Sequence, residues 1–149
     1  MFIQIFLLAV AARACMSLVP NSFEATVGCL QYNAHTDYNY DHPYYPTASW
    51  RNIKSTAGVT RMRMGVSGNK SGYIRLAPTL NYIRKISIFE PLMFTVEVYP
   101  NGRVTVKLDT ERYPFIDVTD AGVSAKYVGF ANWDANDKAV FFVDCPLVD

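Results

Sequence analysis

Apolar and polar residues alternate most clearly over residues 92–109, LMFTVEVYPNGRVTVKLD. Phe94, Val96 and Val98 share one phase, and Val104, Val106 and Leu108 share the matching phase after Pro100-Asn101-Gly102. A period of two predicts strands with one buried and one wet face. Proline presets the first turn dihedral and Asn-Gly tolerates positive φ, so the segment reads as an antiparallel hairpin with a local chemical cause for its reversal. Residues 58–67 alternate in the same way, with Met62, Met64 and Val66 on one side and Arg61, Arg63 and Gly65 on the other.

Further strands are expected over 23–32, 73–77, 80–89, 113–119, 125–131 and 139–145, and a short one starting near Trp50 and Ile53. Residues 80–89 also fit a short helix carrying Tyr82, Ile86 and Phe89 on one face, but the β-branched Ile83, Ile86 and Ile88 favour a strand. Turn chemistry stands at 68–72, 120–122 and 134–137. Residues 33–46 show no period and read as a long ordered loop or irregular edge. Many short strands separated by turns predict an all-β fold, an antiparallel β-sandwich or jelly roll.

Composition narrows this picture. The chain has 149 residues, half of them apolar and 14% aromatic, enough for one domain with a real core. A net charge of +1 gives no sign of a nucleic-acid binder. The uncharged apolar run at residues 2–12 is followed by small residues, the pattern of a secretory signal. We therefore read 1–17 as a signal peptide and 18–149 as a single domain, secreted and without a membrane span. A lipid-anchored Cys15 is disfavoured because Arg13 fits such a motif badly. Removal of Cys15 leaves Cys29 and Cys145, an even pair in an oxidising compartment, expected to form a disulfide that ties the first strand to the last. Asn69-Lys70-Ser71 is an N-glycosylation sequon in a turn-like stretch.

Charge is uneven along the chain. Residues 43–88 hold eight basic side chains and no acidic one, whereas the chain from Glu90 onward is predominantly acidic. One reading pairs these charges across strands; the other makes Arg61, Arg63 and Arg75 a basic face for an anionic ligand. The first is favoured.

Candidate chemistry concentrates in the loop at 33–46. Tyr38, Tyr40, Tyr44 and Tyr45, with the adjoining Tyr32 and with Trp50, could form an aromatic platform, since sugars stack on aromatic faces and tyrosine adds hydrogen bonds. The alternative is that the rings pack over an open edge of the sandwich. His35, Asp37, Asp41 and His42 are metal-ligand types, but their spacing matches no site with a physical rationale, and turn residues are the favoured reading. No nucleophile elbow, phosphate loop or dinucleotide fingerprint is visible. No cofactor is expected and no catalytic residue is assigned.

Four stretches are similar to a known family: VTRMRMGVSGNKSGYIRLAP at 59–78, FTVEVYPNGRVTVKL at 94–108, YPFIDVTD at 113–120 and YVGFANWDANDKAVFFVDC at 127–145. In that order they resemble the farnesoic acid O-methyltransferase-like domain of invertebrates. They look more weakly like lectin-type and laminin-G-like jelly rolls. Both resemblances imply a β-sandwich, and the first implies a secreted interaction module. The methyltransferase activity of its name is not carried over, since the sequence offers no glycine-rich turn after a parallel strand to hold a methyl donor.

The function expected from these readings is a secreted, non-catalytic module recognising carbohydrate or an extracellular partner protein. Tyr38, Tyr40, Tyr44, Tyr45, Trp50, Arg61 and Arg63 are the candidate ligand-binding residues. A carrier of a terpenoid or lipid held between the sheets and a secreted hydrolase using His35 or His42 are the alternatives.

Overall fold

The computed structural model describes residues 23–33, 44–69, 71–76, 79–132 and 138–148, with the backbone alone over 71–85 and 131–132. The expected signal segment, Tyr38, Tyr40, both histidines and the 134–137 turn lie outside the described residues.

Eleven strands are described: β1 (Leu30–Asn33), β2 (Tyr44–Pro46), β3 (Lys54–Thr56), β4 (Val59–Gly68), β5 (Ser71–Leu76), β6 (Thr79–Lys85), β7 (Leu92–Val98), β8 (Arg103–Leu108), β9 (Ile116–Thr119), β10 (Tyr127–Asn132) and β11 (Ala139–Cys145). They form two antiparallel sheets. The larger runs β1-β11-β4-β7-β8-β9, with β3 also pairing β4; the smaller runs β2-β10-β5-β6. The protein is thus an all-β antiparallel sandwich in one domain.

Period-two patterning sets which faces meet. Register pairs Met62 with Val96, Met64 with Phe94 and Val96 with Val106. These side chains, with Val66, Val98, Val104 and Leu108, are buried against one another. The smaller sheet supplies Val128 and Phe130, and Phe130 stacks on Phe141 of β11 with ring centroids 4.8 Å apart. Tyr45 of β2 and Tyr32 of β1 extend this aromatic column at the sandwich edge, their centroids 4.3 Å apart. Dispersion between such dense apolar layers and the removal of their area from water hold the sheets together.

The hairpin turns as its residues require. Gly102 adopts φ +80°, Gly102 N–H donates to the Tyr99 carbonyl (3.0 Å), and Asn101 Oδ1 accepts the Arg103 N–H (3.0 Å).

Three expected strands differ from what forms. The first begins only at Leu30, because residues 24–26 make a 3₁₀ turn and Gly28 takes φ +83°, which bends the chain before Cys29. In the tyrosine-rich stretch, expected to be a long ordered loop or an irregular edge, Tyr44–Pro46 is a short edge strand paired with β10. At 113–119 pairing starts at Ile116, beyond Pro114, whose nitrogen has no hydrogen to donate to a ladder. The 80–89 stretch is strand as far as Lys85, and Ile86–Pro91 then lies outside any element.

The outer face of the larger sheet is not wholly wet. Residues 23–29 lie over it as a strap. The Cys29–Cys145 disulfide fastens the strap, and Phe23 meets Phe142 edge-on at 6.3 Å. Met93, Phe142 and Cys145 form a second small buried cluster beneath it.

Candidate functional site

The placement of the candidate residues follows from strand register and from what covers each face. Arg61 stands opposite Glu97 across β4 and β7, and its Nε lies 3.0 Å from Glu97 Oε1 without the alignment of a hydrogen bond. Arg63 shares its outward phase yet is only 6% exposed, because the strap covers it. Its Nε and Nη2 both meet Asp109 Oδ2 at 2.7 Å, and Nη1 donates to the carbonyls of Ala25 (3.2 Å) and Pro146 (3.1 Å). At this position the structure follows the favoured pairing reading and leaves no exposed cation for an anionic ligand: Asp109, the strap's Ala25 carbonyl and the Pro146 carbonyl engage all three nitrogens of the Arg63 guanidinium. For Arg75 only the backbone is described, opposite Gly129.

For Trp50, which could have joined an aromatic platform or packed down on the sandwich, the structure shows the packed arrangement. It is buried in the main core. The bend that carries it is held by Asp144, whose carboxylate accepts the N–H groups of Arg51 (2.9 Å) and Asn52 (2.6 Å), while Asn52 Nδ2 donates to the Asp144 carbonyl (2.6 Å). Asp144 sits at a bulge in β11 with φ +50°, which turns its side chain toward this bend. Tyr45 is half-buried in the aromatic column.

Tyr44 alone of the described tyrosine candidates faces outward with much of its ring free, at 39% exposure. β2 places it directly opposite Gly129. A side chain at Gly129 would fill the space the ring uses: a Cβ there would stand 3.1 Å from Tyr44 Cε1 and 3.2 Å from Cδ1. The ring consequently rests on bare sheet backbone. Tyr127, in the same phase of β10 as Gly129 and paired with Pro46, is 54% exposed beside it. Tyr44, Pro46, Tyr127 and Gly129 make a shallow aromatic surface on the outer face of the smaller sheet. Sequence reasoning missed Tyr127. The usable signal was the alternation Tyr127-Val128-Gly129-Phe130, which puts Tyr127 and Gly129 on the face opposite the buried Val128 and Phe130.

A second, polar surface lies on the outer face of the larger sheet. A cleft of about 190 Å³ is bounded by Glu97, Tyr99, Arg103, Thr105 and Lys107. The Tyr99 hydroxyl donates to Glu97 Oε2 (2.8 Å), as does Thr105 Oγ1 (3.3 Å). The hydrogen bond to Glu97 raises the Tyr99 phenol above the usual tyrosine range. The Arg103 guanidinium lies over the Tyr99 ring, 5.2 Å from its centroid, and grips both oxygens of Asp117 at 2.8 and 2.7 Å. This fork holds the Asp117 carboxyl below the ordinary aspartate range. The cluster satisfies itself across β7, β8 and β9, as cross-strand pairing of charges predicts. Among the described residues no three His, Cys, Asp or Glu side chains converge as a metal site, and no helix is long and apolar enough to cross a membrane.

A two-sheet antiparallel sandwich, disulfide-tied at its ends and carrying aromatic rings on an outer sheet face, defines the class of this protein. Its family follows from the sequence match: the model for farnesoic acid O-methyl transferase covers residues 38–85 and 79–147, and the chain belongs to that family. No curated protein and no solved structure matches it.

Proposed function

We propose that the chain is a secreted, non-catalytic binding module that recognises carbohydrate through the outer face of its smaller sheet. The observation that carries this reading is the Tyr44 ring seated on Gly129 with Tyr127 exposed beside it. A sugar presents flat C–H faces to a flanking ring and hydroxyls to phenolic oxygens, and tyrosine loses little conformational entropy when it is ordered. The Cys29–Cys145 bridge supports an oxidising, extracellular setting. The name of the family does not carry an activity over to this chain. Every strand ladder among the described residues is antiparallel, whereas the glycine-rich cradle for a nucleotide-type cofactor follows a parallel strand and opens a helix.

The test is a glycan array followed by calorimetric titration with the best sugar. Tyr44→Ala and Tyr127→Ala each weaken binding by about fivefold or more, the equivalent of about 1 kcal/mol per aromatic contact, while thermal unfolding stays unchanged. Binding indifferent to both substitutions refutes the assignment. An array without signal, together with a protein partner captured through the same two tyrosines, replaces carbohydrate with protein as the ligand.

A further inference from the structure

The end of β4 leads into the chain's one Asn-x-Ser/Thr sequence, Asn69-Lys70-Ser71. Asn69 is exposed, and its orientation is set from the neighbouring segment: the backbone N–H of Lys138 donates to Asn69 Oδ1 (2.9 Å), while the Asn69 N–H donates to the Lys138 carbonyl (3.2 Å). The carboxamide oxygen therefore faces the protein. Nδ2, the only atom of this side chain able to take a sugar, makes no hydrogen bond among the described residues.

Gly68 and Lys138, the residues that flank and hold Asn69, are also among the residues lining an open groove of about 440 Å³ on the outer face of the larger sheet. Phe23, Ile88, Val140 and Phe142 provide its apolar lining, and Ile88 is 54% exposed. An exposed apolar surface beside a side-chain amide whose nitrogen makes no hydrogen bond among the described residues suits an occupant attached at that nitrogen, with polar edges for water and C–H faces for the groove.

We infer that Asn69 Nδ2 carries an N-linked glycan and that its first sugars lie along this groove. In the transfer, a bond forms between Nδ2 and C1 of the first sugar of a lipid-pyrophosphate-linked oligosaccharide. The bond from that C1 to the pyrophosphate oxygen breaks, the lipid pyrophosphate leaves, and the amide nitrogen gives up one proton. The inference does not depend on the carbohydrate reading of the Tyr44 face. It has a consequence for that reading, since a glycan at Asn69 shields the larger sheet and leaves the smaller sheet's outer face open.

The chain is expressed in insect cells behind an unrelated secretory leader, so that entry into the secretory pathway does not depend on its own N-terminus. Wild type and Ser71→Thr should each show one endoglycosidase-sensitive mass increment, and Asn69→Gln and Ser71→Ala none. Amide exchange at 86–90 and 138–142 should be slower in the glycosylated wild type than in Ser71→Ala. The same comparison against wild type trimmed to a single sugar serves if Ser71→Ala misfolds. A secreted wild type without the increment, or an increment that survives Ser71→Ala, overturns the site. Equal exchange rates overturn the placement along the groove.

Discussion

Arg63 and Asp109 form a covered ion pair, with two of the three guanidinium nitrogens, Nε and Nη2, at 2.7 Å from one carboxylate oxygen under the strap at 23–29. The same guanidinium also holds Ala25 and Pro146, one residue from each segment that the disulfide joins. A covalent link and a charged clamp thus fasten the same place. Removing one partner leaves a charge with little access to water. Arg63→Met should cost about 3–5 kcal/mol in urea unfolding. The double variant Arg63→Met/Asp109→Leu should recover more than half of that loss, because neither charge is then stranded. A double variant as unstable as the single one would show that the carbonyl contacts, and not the ion pair, provide the stabilisation.

The cysteines are 116 positions apart, so their bond closes nearly the whole described chain into a loop. Replacing both with serine should lower stability by about 2–5 kcal/mol. Intact mass of protein purified without reductant should show both sulfurs oxidised. Alkylation of both in that preparation would contradict the bond.

At the hairpin, Gly102 has φ +80° and its hydrogen faces the Asp120 carbonyl so closely that a methyl group would collide with it. Gly102→Ala should destabilise by about 1–3 kcal/mol from backbone strain, with the collision added. The Asp120 N–H donates to the Gly102 carbonyl (3.0 Å), so amide protection at Asp120 should fall at the same time. An unchanged unfolding midpoint would mean that the turn relaxes at no cost.

The Arg103–Asp117 fork predicts a pH effect whose sign is fixed. Asp117 holds its carboxyl below the ordinary value of 3.8 in the folded protein. The interaction is present in full above that value and fades as the pH falls through the folded-state value. Carboxyl carbon NMR should show Asp117 titrating below the other exposed aspartates, and Arg103→Gln should return it to the usual range. Because both side chains are well exposed, the accompanying change in stability should be small and should shrink further in high salt.

The later half of the chain was the most legible. Phe94, Val96, Val98, Val104, Val106 and Leu108 occupy the interior in the phases that alternation assigns, and Gly102 turns the hairpin between them. Period two reports which face of a strand is buried because adjacent side chains must point to opposite sides. The same rule put Arg61 and Arg63 on the outer face, but it carries no information about what lies over that face. Arg61 met a cross-strand Glu97, and Arg63 met a strap from far away in sequence. Trp50 was equally opaque: its exposure depends on Asp144, more than ninety residues later, holding the adjacent N–H groups.

The sequence by itself determined the strands of the hairpin, the interior phase of β4, the two cysteines able to pair and the family. These are short-range properties, written in side-chain alternation, turn chemistry and residue identity. Only the tertiary structure decided which tyrosines face water, that Arg63 is consumed by the strap, and that Gly129 gives Tyr44 a seat. Each of these depends on which distant segment arrives at a given face, and strand pairing between remote residues is settled by the packing of the whole sandwich, not by the local pattern that makes each strand.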